Sequence, residues 1–462
     1  MIRKPDMTPG WRDLLNRDLA ARFALLCLGI WLNAADTLVT VTIMPSVARE
    51  IGGYQYFGWS VAAYLLGSIL AGACAGKLSI RFGLRRATAL AGVIYAVGCA
   101  MSALAPDFLI FVAGRLVQGL GAGAIVSLCY VAITAMFPEA LWPRVYGAIA
   151  GVWGAATLLG PLCGGLFAQA GFWRGAFWFF VVQAVIFVAA VMALVPRGPG
   201  TTEQGRIPGR QLALLTLGVA LIAAAGVVPG GLVALLCAAL GAVAMAAMLW
   251  VNQRSPDRLL PYAAGDLTQA TGLGLAVIFL CEAATVGFSV YGPTFIQVLH
   301  GADPLLSGYV IGSIAAGWTA MSFAVAGLAP RHEGLAIRTG VVIIAAGVAW
   351  GAFEMVRGGL VGITLSMVLL GAGFGICWAF LAKRVIGSAP PEEQALASAA
   401  VPTTQLIGGA TGAAAAGALA NALGFAHGVT PASGLAHGLP LFYAFLPLAL
   451  LGLAAGWRLG RA

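Results

Sequence analysis

From Gly175 to Val195 the chain runs without a charged residue through mostly apolar side chains, and runs of this kind recur along nearly the whole sequence. About 20 such residues make one helix long enough to cross the hydrocarbon core of a bilayer. In that medium every backbone N–H and C=O must be satisfied within the segment, which a helix does. The expected fold class is an all-α membrane protein.

Composition agrees with this. Of 462 residues, 61% are hydrophobic and 9% are charged, against about 25% charged in a soluble domain. So few charges cannot cover a water-exposed surface. The 64 glycines suit close helix packing in lipid. The eight cysteines all lie in apolar runs, and none forms a CxxC pair. They read as small buried hydrophobes, not as a disulfide framework or a metal site.

Spans are expected near 21–46, 55–76, 86–104, 108–135, 145–169 and 173–195. The polar stretch Arg197 to Arg210 follows, then two shorter spans at 211–228 and 230–251, joined at Pro229-Gly230-Gly231. Six more lie near 270–298, 305–328, 337–355, 359–382, 394–422 and 438–457. The expected organisation is a six-helix bundle (1–196), a central linker with two extra spans (197–262) and a second six-helix bundle (263–462), fourteen spans in all. Two blocks of six indicate an internal duplication, which places a solute site between the halves near the midplane.

The net charge of +9 is distributed as a topology signal. With the N-terminus in the cytoplasm, all Lys and Arg fall in cytoplasmic segments except Arg49, Arg174 and Arg357 outside and Arg115 within a span. Both termini are then cytoplasmic, and a nucleic-acid partner is not expected. The first 20 residues are of mixed charge, so the first span reads as an uncleaved anchor.

Three charges sit where lipid should exclude them: Asp36, Arg115 and Glu282. Each costs roughly 2.5–3.5 kcal/mol at mid-membrane and is a functional candidate for that reason. At about 1.5 Å per residue, Asp36 lies roughly 21 Å, and Arg115 and Glu282 roughly 18 Å, from the cytoplasmic side. Desolvation disfavours an ionised carboxyl and a neighbouring Arg favours it, so a change of water access or of the Arg contact would load or release a proton. The alternative for Asp36 and Arg115 is a static buried ion pair. Glu282 has two further alternatives, a cationic solute or a neighbouring polar residue.

Several segments resemble the major facilitator superfamily and, within it, the fourteen-span drug:proton antiporters. Asp36-Thr37-Leu38 through Met44-Pro45 is similar to the family's first-span motif. Gly76-Lys77-Leu78-Ser79-Ile80-Arg81-Phe82-Gly83-Leu84-Arg85-Arg86 resembles the loop motif between spans two and three. Arg115-Leu116-Val117-Gln118-Gly119 resembles the fourth-span motif, and Gly147 with Gly160-Pro161-Leu162-Cys163-Gly164-Gly165 the fifth-span antiporter motif. Tyr291 to Gln297 and Gln405 to Gly409 look like the family too. The resemblance implies the major facilitator fold and alternating access by two rocking bundles. It implies that Asp36 and Arg115 handle protons, and that the glycines and Pro161 bend and pack the interface between halves. The loop motif departs from the family at Ile80, where an acidic residue usually contributes to a charge lock.

Candidate cavity residues are Trp31, Asn33, Gln118, Tyr130, Trp153, Tyr291, Gln297, Trp378 and Gln405, since aromatic walls with sparse polar groups suit amphiphiles. Packing or lipid contact is the alternative for each. Gly119 to Gly123 is glycine-rich but follows no strand, and there is no GxxxxGK[ST] loop, so neither a dinucleotide nor an ATP site is expected. The four histidines share no ligand spacing. No cofactor is expected beyond protons as coupling ion. The expected partners are a small-molecule solute, protons and the lipid bilayer, and the protein is expected to act as a monomer in a bacterial inner membrane. The expected function is proton-coupled export of small hydrophobic or amphiphilic compounds. Export of a lipid or of an amphiphilic metabolite such as a siderophore is the alternative. An embedded enzyme or a receptor is more distant, since neither a polar catalytic cluster nor a large soluble domain is visible.

Overall fold

The computed structural model describes residues 17–138, 141–197 and 207–461, and fifteen α-helices carry nearly all of them. The first six are α1 (Arg17–Ile51), α2 (Phe57–Phe82), α3 (Leu84–Leu104), α4 (Phe108–Met136), α5 (Trp142–Gln169) and α6 (Trp173–Leu194). Next come α7 (Gly209–Ala224) and α8 (Gly231–Arg254). The rest are α9 (Ala270–His300), α10 (Pro304–Val325), α11 (Glu333–Arg357), α12 (Leu360–Gly387), α13 (Gln394–Ala422), α14 (Pro431–Tyr443) and α15 (Leu446–Leu459).

Among the described residues, twelve helical spans are long and apolar enough to cross a membrane: α1 to α6, α8 to α12, and α14 with α15 together. The chain is a multi-pass membrane protein. The final span, expected as one helix near 438–457, is broken at Ala444–Phe445. Pro440 and Pro447 flank the break, and each removes a backbone donor. At 16 residues, α7 is also shorter than its expected span.

Helices α1 to α6 pack as one bundle and α9 to α15 as another. The bundles meet along two seams, α2 with α13 and α5 with α10, while α1 touches α9 and α10 between them. The α7–α8 hairpin leans on α13 and reaches α2, so it lies beside the first seam. Trp59 of α2 donates to the Ala223 carbonyl of α7 (3.1 Å).

Because the chain reverses at each connection, the Lys77–Arg86 junction of α2 with α3 and the starts of α1 and α13 share one end of the molecule, the basic end. Contacts between bundles concentrate away from it. Among the described residues, three side-chain hydrogen bonds join the bundles: Arg49 to Gln297 (3.4 Å), Tyr309 to the Leu158 carbonyl (3.1 Å) and Asn421 to the Gln55 carbonyl (2.7 Å). Phe57 and Tyr291 also face each other across the seam, with ring centroids 5.4 Å apart. Toward the basic end, Gly76, Gly151 and Gly154 face open space.

Candidate functional site

Asp36 is fully buried on α1, and its carboxylate gathers donors from two helices. Thr40, one turn along α1, donates to Oδ1 (3.1 Å). Gln118 Nε2 of α4 donates to the same oxygen (3.0 Å). Arg115 Nη1 lies 3.2 Å from Oδ1 and 3.3 Å from Oδ2, and also donates to Gln118 Oε1 (2.7 Å). Oδ1 therefore holds three donors and Oδ2 one.

Arg115 and Gln118 are three residues apart, so both project from one face of α4. Small residues let the neighbouring helices come close enough for these short bonds. A Cβ on Gly98 of α3 would run into the backbone of Gln118, and one on Gly119 would strike the Tyr64 backbone of α2. Tyr64 in turn lies under the Arg115 guanidinium, 4.2 Å from ring centroid to Cζ. Its hydroxyl donates to Asn33 Oδ1 (2.8 Å). An ion pair taken out of water costs several kcal/mol per ion and persists only where geometry and further hydrogen bonds offset that cost. The Thr40, Gln118 and Tyr64 contacts supply that offset.

Glu282 stands apart from this cluster, half-buried on α9 of the other bundle. It accepts from Gln405 Nε2 of α13 (3.3 Å), so it does face a neighbouring polar residue. Gly409 leaves room for its carboxylate and sits against Leu65 of α2, which places Glu282 near the seam between bundles.

The fifth-span motif lies at the other seam. A Cβ on Gly160 would press on Leu38 and one on Gly164 on Val39 and Thr42, so this face of α5 meets α1. Pro161 meets Gly308 and Gly312, and a Cβ on Gly165 would stand 2.7 Å from the Leu305 Cα, all on α10. Gly147 lies in α5, but its surroundings fall outside the described residues. In the loop motif, Gly83 joins α2 to α3 at φ +79°, a conformation that favours glycine. Arg81 rests over Phe82 (5.4 Å), Arg86 is exposed, and the Arg85 Nε is buried without a hydrogen-bond partner.

The remaining candidates divide. Trp31 donates to Gln183 Oε1 of α6 (2.8 Å). Trp378 joins Trp318 (5.2 Å) and Phe374 in an aromatic group on α10 and α12. Tyr130 and Trp153 are each 42% exposed. Tyr291 is buried with its hydroxyl unpartnered. Gln118 belongs to the Asp36 cluster, and Gln297 lies at the far end, donating to Ser307 (3.0 Å) beside Arg49.

Three participants are absent from the sequence-based candidates: Thr40, Tyr64 and Cys99. Thr40 carries a readable signal, its four-residue spacing from Asp36. Cys99 reads as packing, yet its sulfur lies 3.1 Å from Gln118 Nε2. Nothing in sequence ties Tyr64 to Arg115. Among the described residues, no group of three His, Cys, Asp or Glu is placed to hold a metal ion.

The profile of the Major Facilitator Superfamily matches residues 26–413. A protein of Mycobacterium tuberculosis named "Probable multidrug-efflux transporter" is 32% identical over 99% of this chain and 98% of its own length. A "Triacylglyceride transporter" of Mycobacteroides abscessus is 27% identical over 84% of this chain and 80% of its own. Among solved structures, a D-xylose-proton symporter superposes with a TM-score of 0.66 at 18% identity, covering 96% of this chain and 97% of that one. The twelve apolar spans, the two bundles and these matches agree: the chain belongs to the Major Facilitator Superfamily, as a membrane transporter and not an enzyme.

Proposed function

We propose that this transporter is a proton-coupled antiporter that exports small hydrophobic or amphiphilic compounds by alternating access. One observation carries the reading: a fully buried carboxylate, Asp36, is held by Arg115 in a network that leaves Oδ2 with a single donor. Oδ2 is the oxygen open to a proton. Protonation cancels the attraction to Arg115 and frees the guanidinium to seek another partner, which couples proton uptake to helix movement. Glu282 serves as a second titratable group on the opposite bundle. Inward protons then drive solute outward, each unit charge contributing about 2.3 kcal/mol per 100 mV of potential.

In this reading the chain crosses the bilayer fourteen times. Helix α13 is long but built of Ala, Gly and Thr, and it packs among spanning helices; α7 completes the inserted hairpin. The segments 1–196, 197–262 and 263–462 act as bundle, linker with hairpin, and bundle. The basic end faces the cytoplasm of a bacterial inner membrane, and one copy suffices. Gly160, Pro161, Gly164 and Gly165 form a pivot on α1 and α10. Trp31, Asn33, Tyr130, Trp153, Trp378 and Gln405 are the side chains proposed to meet solute.

The test is transport by proteoliposomes loaded with a fluorescent amphiphile under an imposed pH gradient. Wild type is expected to accelerate with the gradient, and Asp36→Asn to lose that acceleration. Equal rates in the two proteins reject the coupling role. Export of a lipid or of an amphiphilic metabolite such as a siderophore is the second reading, supported by the relative named for triacylglyceride and by the lipid-facing hairpin. Deleting 209–254 and comparing lipid with dye transport separates the two.

A further inference from the structure

Where α11 begins and α15 ends, at the basic end of the second bundle, arginines collect around one indole. The guanidinium of Arg338 lies 5.7 Å and that of Arg461 6.0 Å from the Trp457 ring. Among the described residues, Trp457 is the one aromatic ring flanked by two guanidiniums. Arg115, Arg174 and Arg258 also lie over rings, and each is balanced by a carboxylate: Asp36, Glu50 and Glu393. Arg338 and Arg461 have no ion-pair partner among the described residues. The sequence accounts for this. From Gln394 to Ala462 it contains no Asp or Glu, and Glu333 at the start of α11 is committed to Lys383 of α12 (2.7 Å).

The corner is tightly built. Helices α11 and α15 pack together, and a Cβ on Gly334 would stand 2.4 Å from the Gly460 carbonyl oxygen. The Arg338 stem crosses Gly460, where a Cβ would strike its Cγ at 2.8 Å. Arg338 Nε donates to the Gly334 carbonyl (3.2 Å), which turns the side chain back toward the start of α11. Its charged end thereby reaches the level of Trp457 in the last turn of α15. Both helices belong to membrane spans, so this is the height of the lipid headgroups. Deeper along the same two helices, Val342, Leu451 and Ala454 are exposed and apolar.

We propose that this corner binds an anionic phospholipid, with the headgroup phosphate between Arg338 and Arg461 and the acyl chains along Val342, Leu451 and Ala454. A soluble phosphate would meet the same guanidiniums, but it would leave the apolar flank unused. Charge-assisted bonds from two guanidiniums to one phosphate relieve the repulsion between them. The site depends neither on the solute carried nor on proton coupling.

The test is native mass spectrometry of the delipidated full chain titrated with phosphatidylglycerol. One molecule is expected to be retained ahead of the rest. Arg338→Gln with Arg461→Gln is expected to weaken its retention about tenfold or more. Arg81→Gln with Arg86→Gln, which removes two exposed charges at the same end of the first bundle, is expected to leave it unchanged. Phosphatidylcholine, whose phosphate is neutralised by its own choline, is expected to bind weakly, and inorganic phosphate is expected not to displace the lipid. Arg461→Gln alone, an exposed position beyond the end of α15, is expected to weaken retention about threefold and serves if the double variant misfolds. Retention indifferent to Arg338 and Arg461 overturns the site. Equal weakening by the two double variants overturns it in favour of a general attraction to the basic end, and displacement by inorganic phosphate overturns the lipid as its occupant.

Discussion

Arg115 reaches both oxygens of Asp36 through a single nitrogen, Nη1, at 3.2 and 3.3 Å. Removing one member leaves the other charged and buried, which costs about 3–5 kcal/mol, while removing both is far milder. Asp36→Ala is therefore expected to lower the thermal midpoint in detergent more than Asp36→Ala with Arg115→Leu. The ordering of the two midpoints is the measurement, and the reverse order would show that the pair contributes little.

Arg115→Lys keeps the charge but loses the planar group that lies over Tyr64 and reaches Gln118. Arg and Lys are not interchangeable at stacked, multiply bonded sites. Gradient-driven transport is expected to fall about tenfold or more, with only a small change in thermal midpoint. A variant that transports at the wild-type rate would mean that charge alone suffices.

The seam of α5 with α10 offers a steric test. Gly165 sits against Leu305, so Gly165→Val forces the two helices apart where the bundles touch. Overpacking a tight contact costs about 1–3 kcal/mol. Since the strain exists only while the end at Gly165 is closed, the basic end is expected to close more often, and energy transfer between fluorescent amino acids placed at Ala21 and Arg331, both exposed at the basic end of different bundles, reads the shift.

How much of this was readable from sequence depends on the kind of signal. Asp36 and Arg115 stood out because a charge in an apolar run is expensive wherever it points. Their pairing followed from proximity in depth, and the bundle does bring them together. The list of cavity candidates did not separate Gln118, which sits inside the ion-pair network, from Gln297, which ties α9 to Ser307 and Arg49 at the far end. Helical periodicity gives the face of one helix but not the neighbour across from it. That neighbour depends on which helices come close, and here glycines such as Gly98 and Gly119 decide it. The break in the last span escapes a hydropathy reading because two prolines among leucines and alanines barely lower a window average, while each still removes a backbone donor.

Asn252 makes a different prediction, away from the transport path. Asn252→Ala strands the Leu259 and Leu260 amides and the Leu260 carbonyl in a buried place. Each unsatisfied group costs about 1–3 kcal/mol. The connection 255–269 is expected to become susceptible to protease while the bundles stay folded, and a cleavage time course checks it. Protection equal to wild type would show that Arg258 and Glu393 hold the connection unaided.

The hairpin α7–α8 is fastened to α13 and to the connection, yet it touches the first bundle mainly through Trp59. In the alternating-access cycle proposed above it would therefore travel with one half and slide over the other. The molecule's footprint in the plane of the bilayer is lopsided, and each cycle displaces more lipid on the hairpin's side. Lateral tension and lipid shape then become inputs to the turnover rate, so the membrane acts as a mechanical load on the cycle as well as its solvent.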